Sequence, residues 1–214
     1  DVDGYDLFRR VQERHPRKAG GLDAWTTEEM QALPPIFWRP IALLCQLAES
    51  EGRWPRVFSV IPLAMLQKEE GKFGPLDKRG IGLNSIIYAT WSSVRYRQTY
   101  DWQDAVFPVD SFGGRRGKGA NESELRFGLQ IEEACRSGDD IVGILVDRFK
   151  CFDLLRPTFQ GRLLTALGMD PRIEKSANGF YHDMVKMLRI GSTYGPPIAV
   201  CNGAIQGCSL SILM

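Results

Sequence analysis

The segment Asp147-Arg148-Phe149-Lys150-Cys151-Phe152-Asp153 has residue types and spacing that suit metal-dependent chemistry. Asp147 follows the apolar run 141–146, whose length and composition are typical of a strand buried on both faces. A carboxylate at the carboxyl end of such a strand can bind Mg²⁺, which takes a few carboxylates together with substrate phosphates. In a second interpretation, Asp147 only caps the turn that follows the strand.

A second segment, Gly203-Ala204-Ile205-Gln206-Gly207-Cys208-Ser209-Leu210-Ser211, follows a predicted strand over residues 198–201. Glycine lacks a side chain, so Gly207 permits close approach of the backbone to a ligand. Gln206 could then help to shape the floor of a binding site. A plain turn is the alternative interpretation of the Gln206-Gly207 pair.

The first third of the sequence predicts helices followed by a β-ribbon. Residues 1–20 are rich in Arg, Lys, Gly and Pro and predict a loose segment that packs little. Thr26 and Glu29 form a capping-box pattern, and a longer helix is expected over residues 38–52. Residues 57–66 predict a strand, which Pro62 places at a sheet edge, and residues 79–83 predict its ribbon partner.

Helices dominate the prediction for the rest of the chain. Ser85 begins one helix, and the glycine-rich basic loop 113–119 follows it. Asn121 and Glu124 form a second capping-box pattern, for a helix with an expected buried face that ends near Gly138. The expected buried residues of that helix are Phe127, Ile131, Ala134 and Cys135.

The last two predicted helices lie between the two candidate segments. Residues 159–167 form one helix, closed by Gly168, and Asp170-Pro171 begins the other. The second helix carries the clearest apolar stripe in the chain, which is expected to continue to Leu188. That stripe comprises Ile173, Ala177, Phe180, Tyr181, Met184, Met187 and Leu188.

Composition indicates a globular domain and limits the classes of partner. Apolar residues make up 43% of the chain, enough for a substantial core. The net charge of +1 gives no overall attraction to nucleic acid, so such binding would need local clusters. Three exist, at residues 53–56, 95–97 and 115–118, and each alone is typical of a solvated surface.

The cysteines and the apolar runs bear on the cell compartment. Five cysteines, with no CxxC pair, indicate neither a disulfide framework nor a zinc site, which favours an intracellular protein. No apolar run approaches the length of a membrane span, so no membrane partner is expected. The chain begins without Met and stops within the apolar run 210–214, and truncation at both ends is the expectation.

Four ordered segments resemble reverse transcriptases of retroelements, of the non-LTR retrotransposon or group II intron type, and together they cover roughly residues 55–214. The Asp147–Asp153 string resembles motif A of the palm, and residues 203–211 resemble motif B, G-x-x-Q-G-x-x-x-S. Ser111-Phe112-Gly113-Gly114-Arg115 resembles the Q-x-G-F-R segment of the family. Lys68 with Arg79-Gly80-Ile81-Gly82-Leu83 resembles the fingers pattern, in which a proline occupies the position of Gly80.

The resemblance implies a role for each matching residue. Asp147 would bind the catalytic Mg²⁺ ions, with Arg148 at the same metal site beside the triphosphate. Phe152 would be the steric gate that disfavours a ribose 2′-hydroxyl, although an isolated aromatic is also typical of ordinary core. Lys68, for which Lys72 is an alternative, and Arg79 would neutralise the triphosphate. Gln206 and Gly207 would hold the nucleotide against the template base.

These matches imply an α+β right-hand polymerase fold that is incomplete. A helical segment would span residues 1–54, the fingers 55–120, and a partial palm 121–214. The activity implied is RNA-directed DNA polymerisation with Mg²⁺, deoxynucleoside triphosphates, an RNA template and a DNA primer. The Tyr-x-Asp-Asp motif and the thumb do not occur in this sequence, so this chain alone is expected to be inactive. A remnant that binds nucleic acid without catalysis and an unrelated α+β interaction domain are the alternatives.

Overall fold

The computed structural model describes residues 1–71, 74, 77–147, 151–205 and 208–213. Helices predominate, and a small sheet joins distant parts of the chain. The helices are α1 (Gly4–Gln12), α2 (Thr27–Ala32), α3 (Trp38–Glu51), α4 (Arg56–Ser59), α5 (Ile86–Gln98), α6 (Tyr100–Val106), α7 (Ala120–Ser137), α8 (Cys151–Leu154), α9 (Pro157–Ala166) and α10 (Pro171–His182). The strands are β1 (Val60–Gln67), β2 (Lys78–Gly82), β3 (Val185–Ile190), β4 (Thr193–Tyr194) and β5 (Ile198–Ala199), and short 3₁₀ helices lie at Pro35–Phe37 and Ser209–Ile212.

The sheet is mixed, with strand order β2-β1-β3-β4 and with β5 also paired to β3. Strands β1 and β2 form the predicted antiparallel ribbon, and β1 runs parallel to β3. The edge position that Pro62 suggested is wrong, because β1 is hydrogen-bonded on both sides. Pro62 lies opposite Met187 and lacks an N–H, but its carbonyl still accepts from Leu83 N at 2.9 Å. Together with the helices, this mixed sheet confirms the predicted α+β class.

Local capping signals predicted several helix ends correctly. The Thr26 hydroxyl accepts from the N–H of Glu29, and the Glu29 carboxylate accepts from the N–H of Thr26. Gly52 ends α3 in the left-handed conformation with φ of 69°. The Asp170 side chain caps α10 by accepting from Arg172 N. These signals act within one turn of backbone and need no tertiary contact.

The prediction that residues 1–20 pack little is wrong. Residues 4–12 form α1, and Val2, Leu7 and Val11 have no exposed surface. Leu7 and Val11 lie one helical turn apart on one face, and charged residues occupy the other. The high content of Arg and Lys favoured a loose segment, although the apolar residues of 4–12 have the spacing of a short amphipathic helix.

The predictions for residues 121–146 fail in part. Helix α7 exists, but Gly119 takes the N-cap position instead of Asn121, and none of its residues is buried. Residues 141–146 form no strand, and Leu145 is 98% exposed. A buried strand needs hydrogen-bonded neighbours and covering layers, and no strand of the described residues pairs with this run.

The apolar stripe of α10 was extended too far. Ile173, Ala177, Phe180 and Tyr181 are buried as expected. The helix ends at His182, however, and Met187 and Leu188 belong to β3. The positions of Met187 and Leu188 fit the spacing of a helix as well as that of a strand, because a short apolar run does not distinguish the two.

A buried aromatic cluster joins the helices behind the sheet. Phe180 of α10 stacks on Tyr88 of α5 with ring centroids 3.6 Å apart. Trp54 meets the edges of Tyr88 and Trp91 at 5.1 and 4.9 Å and donates from Nε1 to Ser176 Oγ at 2.9 Å. The core contains residues from all three predicted segments, 1–54, 55–120 and 121–214. The boundaries between these segments stay a prediction.

Replacing Gly179 with alanine is expected to lower the free energy of unfolding by about 1–3 kcal/mol, as overpacking does. A Cβ at this position of α10 would overlap the carbonyl oxygen of Gly52. Urea unfolding would measure the loss. Gly128→Ala in α7 is the matched control, because its Cβ would meet no atom within 4 Å and alanine favours a helix. Equal effects of the two substitutions would contradict the prediction.

Candidate functional site

A cavity of about 60 Å³ lies between one face of the sheet and residues 203–205. This volume is far below the roughly 300–1,000 Å³ of ordinary small-molecule pockets, so the cavity itself does not enclose a nucleotide. Its importance is that it joins parts of the chain that are distant in sequence. The lining residues are Leu63, Gly80, Gly82, Asp153, Lys186, Ala204 and Ile205.

Two backbone hydrogen bonds connect the segments that contain Phe152 and Gly203. Gly203 N donates to Leu155 O at 2.6 Å, and Ala204 N donates to Phe152 O at 2.8 Å. Gly203 has a φ of 100°, a conformation that L side chains rarely adopt. A Cβ there would also lie 3.3 Å from Asp153 O, so glycine permits this close approach.

The β1–β2 ribbon closes the cavity from the other side. Gly82 contacts the buried Ile205, and a Cβ at Gly82 would lie 2.5 Å from Ile205 Cγ2 and 3.1 Å from Ile61 Cγ2. The absence of a side chain at Gly82 therefore lets Ile205 pack against the ribbon. Three candidate segments of the sequence, namely the ribbon, residues 151–153 and residues 203–205, thus meet at one place.

Lys186 and Asp153 supply charge to this cavity, and neither residue stands out in the sequence as a site residue. Burial lowers the pKa of Lys186, and the nearby Asp153 carboxylate partly opposes that shift. The Lys186 Nζ would lie 3.4 Å from a Cβ at Gly203. The sequence favours a helix that continues to Leu188, and a helix gives no reason to place the Lys186 side chain beside residue 203.

Lys68 and Arg79 lie on the opposite face of the ribbon from the cavity. Side chains alternate along a strand, and Gly80 and Gly82 line the cavity, so Arg79 projects from the other face. Arg79 pairs with Leu66, and Lys68 shares the face of Leu66 two residues further along. Both cations are exposed. The structure therefore brings Lys68 and Arg79 onto one face but does not place them in the cavity.

The remaining predicted site residues are partly described. Phe152 lies in α8, is 40% exposed, and approaches the second segment through its carbonyl. Asp147 is exposed and does not line the cavity. Arg148, Gln206 and Gly207 lie outside the described residues, as does Lys72, the alternative to Lys68.

The described carboxylates do not by themselves form a site for Mg²⁺. The Asp147 carboxylate is a suitable ligand chemically. Within residues 1–71, 74, 77–147, 151–205 and 208–213, however, no group of three or more His, Cys, Asp or Glu side chains could hold a metal ion. The metal role of Asp147 therefore stays a prediction.

The fold buries some arginines of the three basic clusters and leaves others exposed. Arg95 is buried and forms an ion pair with Glu49, and Arg115 is buried and pairs with Asp104. Neither guanidinium can face a polyanion. Arg53 remains 75% exposed, although its Nε lies 3.5 Å from the Asp183 carboxylate. The fold thus removes Arg95 and Arg115 from two of these clusters and leaves Arg97 and Arg116 exposed.

No protein-family model matches the chain, and a search of curated proteins finds no match. Among the described residues, no helix is long and apolar enough to cross a membrane.

Proposed function

We propose that this chain forms the fingers and part of the palm of an RNA-directed DNA polymerase. The observation that supports the proposal is the meeting of three sequence segments at the cavity. Two of them resemble motifs A and B and are joined by the hydrogen bonds of Gly203 and Ala204. The third, the β1–β2 ribbon, contacts them through Gly82 and Ile205. A polymerase needs these motifs side by side, because substrate and catalytic groups must be held together.

The proposed reaction is attack of a primer 3′-hydroxyl on the α-phosphorus of a deoxynucleoside triphosphate, with pyrophosphate leaving. Mg²⁺ would supply charge neutralisation at the reacting phosphates, with Asp147 as one ligand. Lys68 and Arg79 share the exposed face of the ribbon opposite to the cavity, so the triphosphate that the resemblance assigns to them would lie on that face and not in the cavity. Positive side chains at that position would stabilise negative charge on the leaving pyrophosphate. Phe152 would limit the space beside the sugar.

A second candidate function is protein interaction without catalysis. The exposed apolar residues of α7 and of residues 141–146 favour it, because large exposed apolar patches are typical of binding surfaces. Val142, Ile144 and Val146 are 89%, 86% and 81% exposed. In this alternative, Asp147 is a turn residue, and neutralising it changes no nucleotide-dependent property.

Replacing Arg79 with glutamine is expected to weaken binding of a deoxynucleoside triphosphate about 10-fold or more. A hydrogen bond to a charged group contributes about 1.5–3 kcal/mol, which corresponds to a factor of this size. Titration of the chain with a fluorescent deoxynucleoside triphosphate in the presence of Mg²⁺ would measure the change.

Lys78→Gln is the matched control. It removes the same charge from the adjacent exposed residue of β2, which projects from the other face of the strand. The proposal predicts that Lys78→Gln leaves affinity nearly unchanged. Equal losses for both variants, or a loss for Lys78→Gln alone, would remove Arg79 from the nucleotide site. Failure of the unmodified chain to bind any triphosphate would favour the interaction function.

A further inference from the structure

A second cleft, of about 180 Å³, lies between α1 and the last turns of α5. Arg9, Arg10 and Arg97 line it together with Asp6 and Glu13. We call this surface the basic cleft. It is separate from the cavity beside β1 and β2, since the two share no lining residue.

Two of the three guanidinium groups are oriented by the fold. Arg10 Nε donates to Ser93 Oγ of α5 at 2.7 Å, and Arg10 also pairs with Glu13. Arg97 Nη2 lies 2.7 Å from Glu13 Oε2. The hydrogen bond from Arg97 lowers the pKa of Glu13, burial partly opposes that shift, and the hydrogen bond from Arg10 lowers the pKa further, so Glu13 is ionised at neutral pH. The Glu13 carboxylate thus accepts hydrogen bonds from both Arg10 and Arg97.

The cleft carries an excess of positive charge. Arg9 forms no ion pair within the described part of the chain, and its guanidinium lies 5.9 Å from the centre of the Tyr5 ring. Arg14, close enough to Arg10 for their charges to interact, has a buried Nε without a hydrogen-bond partner among the described residues. The three lining arginines therefore outnumber the two lining carboxylates, Asp6 and Glu13, and Arg14 adds a further positive charge near Arg10. Like charges held together in this way are a cost to folding that an anionic ligand would relieve.

We propose that the basic cleft binds phosphate groups of single-stranded nucleic acid. The planar guanidinium matches two oxygens of a phosphodiester, and Arg10 is already oriented by Ser93. Tyr5 is 60% exposed beside Arg9, where its ring offers a surface on which a base can stack. Arg9, which lines the cleft, follows Tyr5 by one turn of α1, so one strand can contact both the cleft and the Tyr5 ring. No step of the proposed polymerase reaction uses these residues, so the two proposals can fail separately.

The test is the affinity of the chain for an unstructured oligouridine RNA, measured by fluorescence anisotropy over a range of salt concentrations. The double variant Arg9→Gln/Arg97→Gln is expected to bind about 10-fold more weakly at low salt. The slope of log affinity against log salt should become shallower by about 0.7 for each phosphate that the double variant no longer neutralises. Arg136→Gln is the control, because Arg136 is 76% exposed on α7 and far in sequence from the cleft.

Glu13→Gln is expected to raise RNA affinity, a result that misfolding of the variant would not produce. Removing this carboxylate frees Arg10 and Arg97 from their competing partner, so RNA affinity should increase. Unchanged affinity in both Glu13→Gln and the double variant would overturn the proposal, as would an equal loss in Arg136→Gln. If inorganic phosphate displaces the labelled RNA as well as unlabelled RNA does at the same concentration of phosphate groups, the cleft binds free phosphate instead. Arginine-dependent binding to anionic vesicles without binding to RNA would also overturn it.

Discussion

Substituting Asp147 with asparagine is expected to reduce primer extension on an RNA template by at least about 100-fold. Under the proposed function this carboxylate would bind the ions that neutralise the reacting phosphates, and asparagine keeps its size but removes its charge. Loss of several kcal/mol of transition-state stabilisation corresponds to a factor of this size. Asp147 is exposed and does not line the cavity, so the substitution should leave stability within about 0.5 kcal/mol of the original value.

The measurement requires a polypeptide in which the Tyr-x-Asp-Asp segment follows this sequence. Asp139→Asn is the matched control, because it removes the same charge from another exposed residue after α7. Extension that survives Asp147→Asn would reject the metal role of Asp147. If the parent polypeptide contains no Tyr-x-Asp-Asp segment and extends no primer, the chain is better described as a remnant that binds nucleic acid.

Glu49→Gln is expected to lower the free energy of unfolding by about 3–5 kcal/mol, the effect of breaking a buried ion pair. Glu49 and Arg95 are each only 4% exposed in their side chains. The Glu49 carboxylate accepts from Trp91 Nε1 at 2.6 Å and from Arg95 Nε at 2.7 Å, and it also pairs with Arg95 Nη2. Glutamine would leave the buried guanidinium without a counter-charge, and urea unfolding would measure the cost.

Two further variants separate charge from shape at this site. Glu51→Gln removes an exposed carboxylate from the same helix and should change stability by less than about 0.5 kcal/mol. The double variant Glu49→Leu/Arg95→Met removes both charges and is expected to recover much of the stability that Glu49→Gln forfeits. A loss below about 1 kcal/mol in Glu49→Gln would show that water or another group compensates Arg95. That outcome would contradict the prediction that this buried ion pair, which joins α3 to α5, is strongly stabilising.

The cavity illustrates how far spacing alone can predict a site. Sequence patterns identified residues 151–153, residues 203–205 and the ribbon as candidate segments. Their contact through Gly82, Ile205 and the carbonyl of Phe152 was not predictable, because it depends on the parallel pairing of β1 with β3. Lys186 enters the site only through that pairing, since it lies opposite Ile61 in the sheet.

By itself, the sequence determined the features that depend on neighbouring residues. These include the capping box at Thr26, the helix end at Gly52, the Asp170 cap and the β1–β2 ribbon. Tertiary structure decided what depends on distant partners. The apolar run 141–146 is not a strand here because no described strand pairs with it, and Arg95 is not a surface cation because Glu49 lies opposite it. Local hydrogen bonds form within one turn, whereas burial and ion pairing require surfaces that the fold alone brings together.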